Sequence, residues 1–327
     1  MKPRILIARA IYPDVLERLA LQFEVESNQA DLIFTPQQLQ QKLHDKVGLM
    51  ATGSERINDE LIAAGASLKV ISNIAVGYNN VDVEAATAAG IQVTNTPDVL
   101  NQTTADFGWA LMMAAARRML EAERWLRAGS WKQWRYDGFV GADVHGATLG
   151  ILGMGRIGQE IARRSTGFDM RVLYHNRSRL APELEARANS AQYVSKEQLL
   201  RDADHLILVL PYSAVTHHAI GAAELALMKP TATLTNIARG GIVDDVALIA
   251  ALREQRIAAA GLDVFEHEPA LHADFLTLTN VVLTPHIASA SAPTRRAMVN
   301  CAADNLLAAL TGQVPPNLLN PSVLKRG

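Results

Sequence analysis

Three glycines carry the strongest chemical signal in the chain. Gly153, Gly155 and Gly158 stand with G-x-G-x-x-G spacing in TLGILGMGRIGQEIARR, after an apolar run and at the start of an amphipathic one. In a strand–turn–helix context that spacing binds a dinucleotide. The first glycine permits a tight turn, the second lets the backbone approach a pyrophosphate, and the third lets helix pack on strand. The helix N-terminus adds free N–H groups and the positive end of its dipole. The backbone of Arg156 and Ile157 falls at that N-terminus.

The next strand ends in MRVLYHNRSR. An acidic residue about 20 positions past the glycines would hold the ribose hydroxyls of NAD. Asn176 occupies that place, followed by Arg177, Ser178 and Arg179. A neutral amide does not repel a 2′-phosphate, and a hydroxyl with guanidinium groups can bind one. The expected cofactor is therefore NADP(H), with NAD(H) less favoured.

Elements that would position these residues are legible as alternating short apolar runs and helical periodicities. Candidate strands at 4–8, 23–26, 47–51, 68–74 and 91–94 form a first series. Those at 148–152, 171–175, 205–210, 233–237, 258–263 and 281–284 form a second. Helical spacing at 57–64 and 83–89, with Gly90 at a stop position, separates strands of the first series. Such alternation predicts βαβ units and parallel sheets, an α/β fold. A turn-rich stretch at 94–101 followed by an apolar helix at 103–118 marks the passage between two domains. The segment 125–140 collects Trp125, Trp131, Trp134, Tyr136 and Phe139 with poor periodicity, as an interface arm or lid would. A last long helix is expected over 293–309.

Bulk properties narrow the function classes. The 327 residues carry 31 Lys and Arg against 33 Asp and Glu, a formal charge of −2. That balance disfavours a nucleic-acid binder, which needs a basic face. No apolar run approaches the ~20 residues of a membrane span, so no membrane partner is expected. The N-terminal stretch is broken by Arg9, Pro13 and Asp14 and makes a poor signal peptide. Cys301 is the only cysteine, so no internal disulfide is possible and a reducing, cytoplasmic compartment is expected. His217 and His218 are adjacent. Neighbouring residues rarely converge on one ion, and no acidic or cysteine ligands accompany them in sequence, so no metal is expected.

Several motifs in fixed order then resemble one family. VGYNNVDVEAATAAGIQVTNTPDVL, TLGILGMGRIG, NIARGGIVDDVALIAAL, AGLDVFEHEP and LTPHIASA match the D-isomer-specific 2-hydroxyacid dehydrogenases across nearly the whole chain. Within that family the chain is most similar to glyoxylate/hydroxypyruvate reductases of the 2-ketogluconate reductase type. The resemblance implies a Rossmann-type doubly wound cofactor domain at 99–289 and a smaller flavodoxin-like α/β substrate domain at 1–98 plus 290–327. It places the site in the cleft between them and implies a homodimer that uses the 125–140 segment as an arm.

The resemblance also assigns roles. Arg239 matches the substrate-binding arginine, Glu268 the acidic partner and His286 the catalytic acid/base. The chemistry requires these types: a hydride reaches a carbonyl carbon while an imidazolium supplies a proton to the oxygen. A carboxylate orients the ring, and a guanidinium binds the substrate carboxylate and polarises the carbonyl. Backbone groups of Val76 and Gly77 are implied for the substrate carboxylate. Thr104, Leu210, Pro211, Thr216, Ile237 and Asp263 align with cofactor contacts. Asn79 and Ala288 depart from the family's usual Asp and Gly. The implied reaction is NADPH-dependent reduction of a small 2-oxo acid to a D-2-hydroxy acid. Glyoxylate, hydroxypyruvate and 2-ketogluconate are the candidate substrates. An NAD-dependent 3-phosphoglycerate or D-lactate dehydrogenase, and a non-catalytic dinucleotide sensor, are the alternatives.

Overall fold

A computed structural model describes residues 2–325. Met1, Arg326 and Gly327, at the outer limits of the expected substrate domain, lie outside the described residues. The chain divides into two compact units, one running to Leu100 and resuming at Ser291, the other Asn101–Ala290.

The first unit holds a five-stranded sheet of β1 (Arg4–Ile7), β2 (Glu24–Ser27), β3 (Gly48–Ala51), β4 (Val70–Asn73) and β5 (Gln92–Thr94). Their spatial order is β2-β1-β3-β4-β5 with every pair parallel. This is the flavodoxin-like doubly wound order. β3 and β4 are buried along their whole length, as a parallel strand covered on both faces must be. The helix Ala292–Leu310 covers β3 and β4, so the chain end completes this unit's core. Ser72 secures the pairing by donating to the Ala302 carbonyl at 2.7 Å.

The second unit contains a seven-stranded sheet. Its strands are β6 (Thr148–Leu152), β7 (Arg171–His175), β8 (Gln192–Tyr193), β9 (His205–Leu208), β10 (Thr233–Asn236), β11 (Ala259–Leu262) and β12 (Val281–Leu283). The order β12-β11-β10-β9-β6-β7-β8 is parallel throughout. Counted from β6, this is the 3-2-1-4-5-6 arrangement of dinucleotide-binding sheets with one further strand. Its topological switch lies between β6 and β9. The helix Asn101–Ala116 packs on β10 and β11 and on the helix Arg156–Arg164. Gly261 permits that approach, since a Cβ there would stand 2.8 Å from Leu111.

The expected strands recur with ends shifted by a few residues, and the two-residue edge strand β8 was not anticipated, being too short for an alternation to show. Within 125–140, the helix Met119–Arg127 ends soon after Trp125, and irregular backbone follows. Trp131, Trp134 and Tyr136 are 57%, 75% and 90% exposed, so these rings do not serve their own unit's core. Among the described residues no helix is long and apolar enough to cross a membrane.

Candidate active site

The candidate catalytic and cofactor residues of the second unit lie beyond the carboxyl ends of sheet strands, apart from Thr104 on the helix Asn101–Ala116 and Arg156, Ile157 and Gly158 on the helix after β6. Ligands of open parallel sheets bind beyond those strand ends.

After β6 the chain turns through Gly153 at φ +103°, where a Cβ would sit 2.7 Å from the Leu210 amide nitrogen. Gly158 packs so closely on this turn that a Cβ would meet the Gly153 carbonyl at 2.4 Å. Gly155 caps the helix Arg156–Arg164 with no side chain on its N-terminal amides, and no atom lies within 4 Å of where its Cβ would be. The three glycines thus answer three separate demands: a left-handed turn, an open approach and a helix–strand contact. Asn176 ties the end of β7 to this turn, its Oδ1 accepting from the Met154 amide at 2.7 Å.

Thr104 Oγ1 is buried without a hydrogen-bond partner, a costly state that a ligand's polar group would relieve. An open helix N-terminus, a cradle bare of side chains and an orphaned buried hydroxyl all fit a dinucleotide. Leu210 and Pro211 follow β9. Thr216 folds back to hold their turn, donating to the Pro211 carbonyl at 2.8 Å and accepting from the Ser213 amide at 2.7 Å.

Arg177 and Ser178 are exposed at the end of β7. Arg179 is engaged elsewhere: its Nε and Nη2 both donate to the Glu185 carboxylate at 2.9 Å. The buried Tyr174 hydroxyl donates to the same carboxylate at 2.6 Å. Arg179 and Tyr174 together hold the Glu185 carboxyl down at about 2.

Beyond β12, His286 Nδ1 donates to Glu268 Oε2 at 2.8 Å. The other oxygen, Oε1, accepts from the Phe265 amide at 2.9 Å. Burial opposes ionisation of Glu268, but the His286 bond and charge, the Phe265 amide and the Arg239 charge outweigh it, so the carboxyl lies below its usual range. His286 sits at φ +54°. The turn that carries it is held by Asp263, whose Oδ1 accepts from Thr284 Oγ1 at 2.7 Å and the Ile287 amide at 2.8 Å. Its Oδ2 accepts from the Ala288 amide at 2.8 Å. Burial pushes the Asp263 carboxyl up despite these bonds. The fully buried Asp263 thus builds the histidine turn.

Arg239, after β10, is half-buried and donates from Nη1 to the Ala238 carbonyl at 2.8 Å. Burial lowers its pKa, and the Glu268 charge opposes that shift. Asn236 shapes this loop, accepting from the Ala238 amide at 3.0 Å and donating to the Arg239 carbonyl at 3.2 Å. Gly240 lies against the Phe265 carbonyl, where a Cβ would stand only 1.7 Å away. Close packing of the Arg239 and Glu268 loops therefore depends on that glycine. Beside Glu268 and His286 opens a largely apolar cavity of about 270 Å³ walled by Phe265, Leu271, Leu276 and Leu283.

The segment 109–288 matches the family described as "D-isomer specific 2-hydroxyacid dehydrogenase, NAD binding domain". The chain is 47% identical to the glyoxylate reductase of Thermococcus onnurineus over 99% of its own length and 98% of that protein's. The chain belongs to the D-isomer-specific 2-hydroxyacid dehydrogenases. Among solved structures of similar fold, a glyoxylate reductase from Paecilomyes thermophila is 34% identical with a TM-score of 0.88, covering 98% of this chain and 99% of that one. An NADPH-dependent glyoxylate/hydroxypyruvate reductase from Sinorhizobium meliloti, in complex with NADP and malonate, is 37% identical with a TM-score of 0.84, covering 98% and 97%.

In this dehydrogenase, sequence reasoning had no signal for two supporting side chains. Asn236 reads as one polar residue in an apolar strand, and Glu185 as one of several surface acids. In the first unit, Val76 and Gly77 form a half-buried turn whose carbonyls accept from Asn95 Nδ2 at 2.9 Å and Asn73 Nδ2 at 3.1 Å. A trans peptide sets N–H opposite C=O, so the Gly77 amide faces away from Asn95.

Proposed function

We propose that this dehydrogenase reduces small 2-oxo acids to D-2-hydroxy acids with NADPH, glyoxylate and hydroxypyruvate being the leading substrates and 2-ketogluconate a third. The observation that carries the reading is the 2.8 Å bond between His286 Nδ1 and Glu268 Oε2. It leaves Nε2 of the ring as the atom that can give a proton, with a carboxylate behind it that holds the ring in place.

Arg239 binds the substrate carboxylate and draws electron density from the 2-oxo group. Backbone N–H groups of the Val76–Gly77 turn are further proposed donors to a substrate carboxylate. The glycine turn, Thr104, Asn176 and the residues after β9, β10 and β11 bind the dinucleotide, which supplies hydride when bound. As the carbonyl carbon gains that hydride, His286 Nε2 delivers its proton to the oxygen. The imidazole left behind stays oriented by Glu268. Arg177 and Ser178, with no acidic residue at Asn176, support NADP(H) over NAD(H), and a like assignment for the Sinorhizobium meliloti relative agrees. The exposed aromatics at 131–136 suit a homodimer, which light scattering would test against a monomer mass.

The deciding experiment is a substrate panel with NADPH and NADH at fixed pH. Turnover of glyoxylate or hydroxypyruvate with higher kcat/KM for NADPH is the expected result. NADPH binding without turnover of any 2-oxo acid would favour a sensor. Equal or better kcat/KM with NADH would overturn the cofactor assignment.

A further inference from the structure

His217 and His218 are joined in space by an acidic residue from a distant loop. One ligand atom from each histidine and from Glu266 falls within 4.8 Å of the others. The imidazole rings stack at 3.8 Å with 26° between their planes. His218 Nε2 meets Glu266 Oε1 at 2.5 Å. The adjacency that argued against a shared ion is overcome because the turn sets His218 at φ +49°. Its amide donates to the Gly241 carbonyl at 2.7 Å.

The geometry points to a divalent transition-metal site formed by His217, His218 and Glu266, of the zinc class. Each histidine has a polar neighbour for its second nitrogen, a hydrogen bond for His217 and a charge contact for His218. His218 Nδ1 faces Asp244 Oδ2 at 3.8 Å, and His217 Nδ1 meets the Tyr212 hydroxyl at 3.3 Å. Ligating histidines bond their second nitrogen to a carboxylate or other polar group, which fixes the ring and leaves the first for the ion. Here that leaves Nε2 of each ring. Bonds of about 2.0–2.2 Å to nitrogen and oxygen set tetrahedral ligands roughly 3.3–3.5 Å apart. The 4.8 Å span therefore requires side-chain rotation to close on an ion. Two imidazoles and one carboxylate suit Zn²⁺, Co²⁺, Ni²⁺ or Cu²⁺, whereas Mg²⁺ and Ca²⁺ favour all-oxygen sets. The carboxylates of Asp244 and Asp245, the latter accepting from the Glu266 amide at 3.1 Å, add negative charge that a dication offsets. His217 is exposed, so an ion has an open path and a fourth position for water. None of Arg239, Glu268 and His286 is a ligand, so the site is separate from the proposed hydride chemistry.

The test uses the full-length protein, stripped with a chelator and titrated with Zn²⁺ against a chromophoric competitor. Co²⁺ absorption in parallel reads coordination geometry. One ion per chain is expected, with a visible band of a tetrahedral or five-coordinate Co²⁺ centre. His217→Ala and Glu266→Gln should each weaken binding by at least about tenfold, the lower end of what losing even an outer partner costs. His44→Ala and His145→Ala, at exposed histidines elsewhere, should leave it unchanged. His217→Ala decides, since removal of an exposed ring leaves the fold intact. Absence of stoichiometric Zn²⁺ binding, or binding unaltered in His217→Ala, would overturn the proposal. Neither readout depends on NADPH or on turnover.

Discussion

The Asp263 carbonyl accepts the His286 amide at 2.9 Å, while its carboxylate closes the rest of the same turn through Thr284, Ile287 and Ala288. A histidine at positive φ is thereby held by four bonds to one residue from the neighbouring strand. Asp263→Asn replaces one acceptor oxygen with an amide nitrogen facing an N–H group, and leaving such a donor unsatisfied costs about 1–3 kcal/mol. The thermal midpoint should fall and kcat should drop by roughly tenfold or more, as small misplacements of a reacting group do. KM for NADPH should change less than kcat. A variant that kept kcat and lost only NADPH affinity would show that Asp263 serves the cofactor alone and does not position His286.

His286→Asn keeps a side chain of similar size but cannot deliver a proton as an imidazolium does. Loss of general acid catalysis should reduce kcat/KM by about 10²–10⁴. Glu268→Gln leaves the ring in place and removes the charge behind it. Its activity should fall less, because the ring that gives the proton is still present and has lost only the carboxylate that orients it. Steady-state assays from pH 5 to 9 distinguish the two. Near-wild-type kcat/KM in His286→Asn would remove that residue from the chemistry.

Much of this was legible in advance for a physical reason. Buried parallel strands read as apolar runs, and glycines required by backbone contact keep their spacing, so β6 and the turn at Gly153 could be located before any coordinates. Arg239, Glu268 and His286 were singled out through motifs that resemble the family's, and the three lie beyond successive strand ends. Less legible were relations that depend on distant residues. Glu185 captures Arg179, Asp263 builds the His286 turn, and Glu266 reaches His218, and none of these pairs is related by a periodicity. The adjacency of His217 and His218 gave no hint of Glu266, since the acid that meets His218 lies 48 positions along the chain.

Gly240→Ala tests the contact between the Arg239 and Glu268 loops. The added methyl would fall 1.7 Å from the Phe265 carbonyl oxygen, so one loop must move. Overpacking of this kind costs about 1–3 kcal/mol, more when backbone must shift. Both the melting temperature and kcat/KM for 2-oxo acid reduction should fall. The control Gly129→Ala, where φ is +68° but nothing lies within 4 Å, should lose only the smaller conformational cost and keep activity. Equal activity loss in the two variants would refute the contact argument.

Tyr174 provides a pH marker for the strand end that carries Asn176, Arg177 and Ser178. Burial, and then the Glu185 carboxylate, push its phenol up to about 12 from 10.0. Because the folded-state value is raised, the stabilising contribution is complete below pH 10 and disappears as pH rises toward 12. Titration of the phenolate absorbance should show one tyrosine ionising well after the exposed ones. Glu185→Gln should bring that late transition to lower pH. An unchanged transition in the variant would mean that Glu185 does not face Tyr174.

Arg177 and Arg179 look equivalent in HNRSR, yet their environments separate them. Arg179 presents Nε and Nη2 to Glu185, and the Tyr174 hydroxyl fixes that carboxylate from the other side. Redirecting it to a 2′-phosphate would give up a bidentate pair, whereas exposed Arg177 has no such bond to surrender among those resolved around it. Arg177→Ala should therefore raise KM for NADPH by roughly ten- to a hundredfold, as expected for loss of a charged hydrogen bond worth about 1.5–3 kcal/mol, and leave KM for NADH nearly unchanged. Arg179→Ala should act mainly on stability and cause a smaller change in NADPH affinity. Glu185→Gln, which releases Arg179, should leave NADPH binding equal or tighter. If Arg179→Ala instead abolished the preference for NADPH while Arg177→Ala did not, the Glu185 pair would have to break on cofactor binding, and Arg179 would be the phosphate ligand.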